Sequence, residues 1–356
     1  MKLIEHLTEY GLNRLTTEFF IRVKRHTIYP NLVLLKYDSI YSPLSEKVVQ
    51  QSRGIILDEA KDWSVISYPF DKFFNYGEPN AAQIDWSTAK IYEKLDGSLM
   101  VLYFNPYASE WEVSSSGIPD ASGFVNAYKL TFGQLFWQTW NELKYRLPEE
   151  LNYCFMFELI TPYNPIIVIP KTSAIVLHGV RNLSTLKEDS PDQFAEKYGW
   201  QCVQRFNFNS WDVILAASQN LNPLELEGYI VCDDNFNRVK VKSPEYVGLA
   251  HTKGSLHPQR LLEVIVNAEG EEFLTYFPDL VPVFNRIKAK YDALVEEILE
   301  SYQAIAFIES QKDFASIALT KPYSKILFGL RSGKFYSVKE GLKSLTIGSL
   351  LSLIQI

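Results

Sequence analysis

One run in this 356-residue chain places a nucleophile, an acid and a turn side by side: Tyr92-Glu93-Lys94-Leu95-Asp96-Gly97-Ser98-Leu99. A lysine two residues before Asp-Gly, set between two strands, can project its amine into a cleft. There it can attack phosphorus and form a phosphoramidate. To do so at neutral pH its pKa must fall well below the free value of about 10.4. Burial and nearby cations both push in that direction. By itself, Lys94–Gly97 reads as a surface turn after a strand. The residues downstream change that reading. Phe157-Glu158 lies in a strand-like run, and Glu227 opens the run Gly228-Tyr229-Ile230-Val231. Val239-Lys240-Val241-Lys242 follows, and alternation puts Lys240 and Lys242 on one face of a strand. Two such lysines are costly unless the face meets an anion, and a polyphosphate would satisfy them. Glu158 and Glu227, each beside apolar residues, suit Mg²⁺ or its bound waters.

In this order the motifs resemble those of the covalent nucleotidyltransferases, and most closely the phage-type RNA ligase 1 family. The resemblance runs through Lys94–Leu99, Phe157-Glu158, Val176–Arg181, Glu227–Ile230 and Lys240–Lys242. Upstream it takes in Ser52-Arg53-Gly54-Ile55 and Lys72-Phe73-Phe74-Asn75, and downstream His251-Thr252-Lys253 and Glu271-Glu272. It implies an ATP-dependent RNA ligase that joins 5′-phosphate and 3′-hydroxyl ends through a lysyl–AMP and an adenylylated RNA. The substrate would be broken tRNA or single-stranded RNA ends. Lys94 would be the nucleophile, and Glu93 with the backbone around Lys94 and Gly97 would hold the adenosine. Arg53 and Lys72 would contact phosphates or the activated end, and Phe74 would support the site by stacking or packing. Asp96, Glu158 and Glu227 would arrange Mg²⁺ through its waters, with Mn²⁺ as a substitute. Lys240 and Lys242 would bind the ATP phosphates. Glu271 and Glu272 would serve a second metal or, alternatively, form a solvated helix start. One departure stands out. The family often carries a basic residue in the strand after the nucleophile, in a Ser-Lys-Gly-like run. This chain has Ser114-Ser115-Ser116-Gly117, with Lys171 or Arg181 as candidate substitutes.

The elements that must hold these residues are legible in outline. Short β-branched runs at 32–35, 54–57, 99–103, 174–177 and 228–231 read as buried strands. Residues 124–146 and 190–198 read as helices, the latter opened by Ser190-Pro191. After about residue 245 the spacing becomes helical, as in Val283, Ile287, Tyr291, Leu294 and Ile298. The expected fold is α+β. A nucleotidyltransferase domain over 1–245, with antiparallel sheets flanking an ATP cleft, precedes a mainly helical domain over 246–356. The helical region argues against the β-barrel that DNA ligases and capping guanylyltransferases usually carry at this place. A degenerate RNA-binding protein is the non-enzyme alternative, but the lysine and the acids are all present.

Composition agrees with a globular enzyme rather than a general nucleic-acid coat. The net charge is -7, yet residues 301–356 hold seven Lys and Arg against three Asp and Glu. That local basic surface suits RNA docking. Three scattered cysteines suggest neither a disulfide framework nor a zinc knuckle. No 18-residue apolar run is present, and Glu5 and Glu9 break the N-terminal apolar pattern, which reads as an amphipathic helix. A monomer in the cytoplasm, or host cytoplasm, is expected.

Overall fold

The computed structural model describes the chain apart from residues 40, 126–128, 164, 165, 167, 169, 253–257, 277–279 and 356. The side chains of 249–252, 258, 260, 272, 275 and 276 also lie outside the description. The chain divides into two compact units, Met1–Ala250 and His251–Ile356.

Three sheets build the first unit. The first has the order β1-β2-β3-β4: Ile21–Arg25, Leu32–Tyr37, Arg53–Asp58 and Ser64–Ser67. The second runs β11-β10-β9-β7-β8: Glu188–Asp189, Ala174–Asn182, Tyr153–Ile160, Ser98–Asn105 and Glu110–Ser115. The third runs β13-β6-β14-β15-β5: Arg205–Phe206, Lys90–Lys94, Gly228–Cys232, Arg238–Lys242 and Phe74–Asn75. Pairing is mostly antiparallel, as expected. The exceptions are β15 with β5, and β10 with the short β12 (Gln201–Cys202), which pair parallel.

Period-two alternation assigns each sheet its faces. Leu32, Leu34 and Ile56 of the first sheet pack on Val101, Tyr103, Cys154 and Met156 of the second, with Phe70 between them. The opposite face of the first sheet is covered by Leu3, Leu7 and Leu15 of α1 (Lys2–Phe19). The opposite face of the second is covered by Leu135, Phe136 and Trp140 of α3 (Phe132–Glu142) and by Ala195 and Tyr198 of α4 (Pro191–Tyr198). A capping box of Thr131 and Gln134 starts α3, later than the helical stretch expected from 124. Ile91, Tyr229, Val231 and Val241 of the third sheet pack on Ile214 of α5 (Trp211–Gln219). Its other face, bearing Tyr92 and Lys94, Ile230, and Lys240 and Lys242, is therefore left for the cleft.

The first unit ends within α6 (Pro244–Thr252). All further described elements are helices. They pack around Phe273, Phe284, Ile287, Tyr291, Leu294, Ile298, Phe314 and Leu327. The longest, α9, spans Val281–Gln303. No described helix is long and apolar enough to cross a membrane.

Candidate active site

Lys94 is the last residue of β6 and pairs across the sheet with Gly228, which pairs in turn with Lys242. Two lysines thus flank a glycine in one row. Glu227, just before that glycine, bridges both. Lys94 Nζ lies 2.5 Å from one of its carboxylate oxygens and Lys242 Nζ 3.2 Å from the other. Burial works to raise the pKa of Glu227, but Lys94 and Lys242 outweigh it and hold the group below its ordinary value. Gly228 is required here. A Cβ would sit 2.1 Å from the Val241 carbonyl oxygen, so any side chain would part β14 from β15.

Glu158 enters from β9, across the cleft. Burial pushes its carboxyl up to about 7, aided by Glu227 and Asp96 and opposed by Lys94 and Arg53. Gly97 lets the loop after Lys94 lie close to this strand, since its Cβ would fall 2.6 Å from the Leu159 carbonyl oxygen and 2.9 Å from Glu158 Cγ. Asp96 is buried with both oxygens engaged. The Tyr246 hydroxyl donates to Oδ1 (2.8 Å) and the Val168 amide to Oδ2 (2.8 Å). In this arrangement Asp96 orients the loop. Among the described residues no three acidic, histidine or cysteine side chains close into a metal cage, and Asp96 and Glu227 both act on Glu158. A Mg²⁺-type ion still fits the residues present. Such ions take one or two carboxylates, waters and substrate phosphate oxygens rather than an all-protein cage. Glu158, held near-neutral among carboxylates, is the group a divalent cation would relieve.

Three cations gather over two consecutive rings, Phe73 and Phe74. Arg53 lies over Phe73 (5.1 Å to the centroid) and so does Lys240 (5.7 Å). Lys72 lies over Phe74 (5.0 Å), whose ring is buried beside β15. Glu93 falls on the other face of β6 from Lys94, and its carboxylate accepts from the Gln204 amide (2.8 Å). The acidic pair belongs to the second unit, on α8 (Gly270–Tyr276). Glu271 is exposed, and the Glu272 side chain lies outside the described residues, as does Lys253. Neither proposed substitute fills the uncharged serine run. Arg181 donates to the Tyr68, Leu186 and Pro69 carbonyls and to Glu188, and Lys171 is exposed. Lys36 of β2 reaches the run instead, donating to Ser116 Oγ at 3.3 Å.

Two residues had no role from sequence, although His178 lies inside the run Val176–Arg181. His178 is the extra residue of a β-bulge between Leu177 and Gly179. The bulge turns its ring toward the cleft, 3.8 Å from Glu158. Burial, with Lys94 and Arg238, lowers its pKa to about 3, so the ring is neutral. It lines a small cavity with Tyr92, Val203 and Ile230. Tyr246 is the second, one residue beyond the domain boundary drawn from sequence. A histidine in a buried run and a tyrosine in a helix carry no signal of their own. Only the bulge and the contact with Asp96 expose them.

Against known families, a model described as RNA ligase matches residues 51–246. The chain belongs to the RNA ligase family. The matched span contains Arg53, Lys94, Glu158, Glu227 and Lys242. The chain is 27% identical over 376 residues to an RNA ligase of Rhodothermus phage RM378, covering 85% of this chain and 83% of that one. It is 25% identical over 362 residues to a protein of Autographa californica nuclear polyhedrosis virus whose name pairs a polynucleotide kinase with an RNA ligase. That alignment covers 96% of this chain but spans only 51% of the viral relative. A solved archaeal ATP-dependent RNA ligase superposes with a TM-score of 0.48 at 14% identity, over 87% of this chain and 84% of that one.

Proposed function

We propose that this chain is an ATP-dependent RNA ligase whose AMP carrier is Lys94. The observation that carries the reading is the row Lys94–Gly228–Lys242 with Glu227 bound to both lysines, facing Glu158 across the cleft. Lys94 Nζ attacks the α-phosphorus of ATP, the bond to the bridging oxygen breaks, and pyrophosphate leaves. The 5′-phosphate oxygen of an RNA end then attacks the same phosphorus and Lys94 departs, leaving a 5′–5′ diphosphate. A 3′-hydroxyl attacks the RNA 5′-phosphorus and AMP is released. Each step is an in-line displacement in which positioning and neutralisation of charge supply most of the catalysis.

The residues divide this work by place. Glu227 accepts a hydrogen bond from Lys94 Nζ, aligns it beside Lys242 and takes up the proton the nitrogen sheds as it attacks phosphorus. Lys240 and Lys242 present their charges to the phosphates, and Arg53 and Lys72 extend that field. Asp96, held by Tyr246, fixes the turn that carries Lys94. The neutral ring of His178 offers a flat wall for adenine against Ile230, with Glu93 and Gln204 at the rim of the same sheet. Glu158 and Glu227 would hold Mg²⁺, or Mn²⁺, which would supply charge neutralisation at the phosphates. Glu271 and Glu272 are assigned a second cation. The helical unit is assigned RNA docking, with broken tRNA as the substrate class, on the strength of the basic excess in its residues 301–356.

Incubation with ATP and Mg²⁺ followed by intact-mass measurement tests the reading. One added AMP is expected, and none with Lys94→Ala. Wild-type protein that takes up no AMP, or takes up GMP from GTP instead, would overturn it.

A further inference from the structure

Along β2, Leu32 and Leu34 point into the layer between the first two sheets, and alternation continues that stripe to Lys36. On β3, Ile56 faces Leu34, but the register then shifts, so Arg53 rather than Gly54 pairs with Lys36. Gly54 is the residue passed over. Its φ is +89°, and a Cβ there would lie 3.0 Å from the Ser116 carbonyl oxygen. The glycine bulge therefore does two things. It brings a second cation opposite Lys36, and it seats both strands against the end of β8.

Like charges directly opposite in a sheet repel. These two stand where the apolar stripe gives way to the cleft. Arg53 acts on Glu158, so it belongs to the same electrostatic site. Its Nη1 is buried with no acceptor among the described residues, as is the hydroxyl of Ser114 on β8. Buried donors left without partners in a native fold point to a missing ion or ligand. Lys36 reaches Ser116 Oγ, and its Nζ would lie 3.6 Å from a Cβ at Gly117. Ser115 pairs with Met100, so Ser116 falls in the row that passes through Leu99 to Glu158. Positive charge is thus delivered to this end of β8 by a neighbouring sheet, not by β8 itself.

We propose that Lys36 and Arg53 form a phosphate-binding pair, with Lys36 supplying at Ser116–Gly117 the cation that β8 lacks. The ligand is a phosphate group of a substrate. Two sources share that chemistry: the phosphates of ATP and the 5′-phosphate of the RNA end. The inference rests on the ligase reading, and the test separates the two. Wild-type uptake of AMP reports on the reading alone. Lys36→Met, which keeps the apolar stem, is then compared with wild type in three reactions: AMP uptake from ATP, transfer from pre-adenylylated enzyme to 5′-phosphorylated RNA, and joining of pre-adenylylated RNA. A loss of about tenfold or more is expected in at least one of them. A raised KM for ATP in the first would identify the ATP phosphates, and a defect confined to RNA steps would identify the RNA end. In Lys36→Met/Ser116→Lys the charge returns from β8, and most of the lost rate should return with it. Unchanged rates in Lys36→Met would overturn the proposal. So would a loss that Ser116→Lys fails to restore in a double variant with wild-type thermal stability.

Discussion

Glu158 and Glu227 are the same side chain in neighbouring positions of one cleft, with opposite fates. Glu227 touches two lysines and stays ionised. Glu158 touches none, lies 3.8 Å from a neutral His178, and burial pushes it up to about 7. A folded-state pKa above the unfolded value of about 4.3 means that the native protein binds a proton the unfolded chain releases. Its stabilising contribution is complete below about pH 4.3 and disappears as pH rises through 7. Above that pH the ionised carboxylate is a liability that only a cation removes. In protein freed of metal by a chelator, Glu158→Gln should therefore be more stable than wild type at pH 8, by on the order of 3 kcal/mol. The advantage should shrink toward pH 4.5, and it should also shrink at pH 8 when Mg²⁺ is returned. Denaturant titrations at pH 4.5, 6 and 8 would show it. A difference that does not depend on pH would mean that Glu158 is not the strained group.

Strands and bulges convert these side chains into a site. Much of this level was legible in the chain. The alternation in Val239-Lys240-Val241-Lys242 places both lysines on the cleft face because Val239 and Val241 must be buried on the other. The bulges were not legible. A one-residue shift at Gly54 or His178 decides which side chain enters the cleft, yet it is set by pairing with strands far away in sequence. The same holds for Arg181 and Arg238, which share buried Glu188 across two sheets (3.0 and 2.6 Å). Arg181 looked available for phosphate when read alone, and the fold commits it elsewhere. Gly228 tests the sheet most directly, because β14 is paired on both sides and its first residue has no room for a methyl group. Gly228→Ala should lower stability by about 1–3 kcal/mol, the range for overpacking. It should also depress AMP uptake more than the unfolded fraction explains, since Lys94 and Lys242 are its two cross-strand neighbours. Thermal unfolding and AMP uptake measured on the same sample would check both. A variant with wild-type stability and uptake would show that β14 and β15 can part without disturbing the lysines.

For the whole molecule, the division falls between Ala250 and His251, five residues beyond the boundary at 245 drawn from the change in periodicity. The displacement has a physical reason. α6 is helical, so its pattern looks like the helices that follow. Yet Tyr246 and Val247 are buried in the first unit, and the Tyr246 hydroxyl holds Asp96 in the nucleophile loop. Each unit has its own apolar core, the second built around Phe273, Phe284 and Phe314. A truncation tests whether chemistry and RNA capture divide along the same line. Residues 1–250 should take up AMP at a rate within about tenfold of the full chain, because Lys94, Asp96, Glu158, Glu227, Lys240, Lys242 and Tyr246 are all retained. Joining of a nicked tRNA loop should fall much further than joining of short single-stranded RNA, because residues 301–356, with seven Lys and Arg against three Asp and Glu, are gone. Residues 1–245 should do worse in AMP uptake than 1–250, for loss of Tyr246. In the full chain, Glu271→Ala/Glu272→Ala separates the remaining possibility. If that double variant loses AMP uptake as severely as the truncation does, the acidic pair acts in the first step. If the truncated chain joins tRNA and short RNA with equal relative losses, the helical unit is not the docking surface and the basic excess of residues 301–356 has another use.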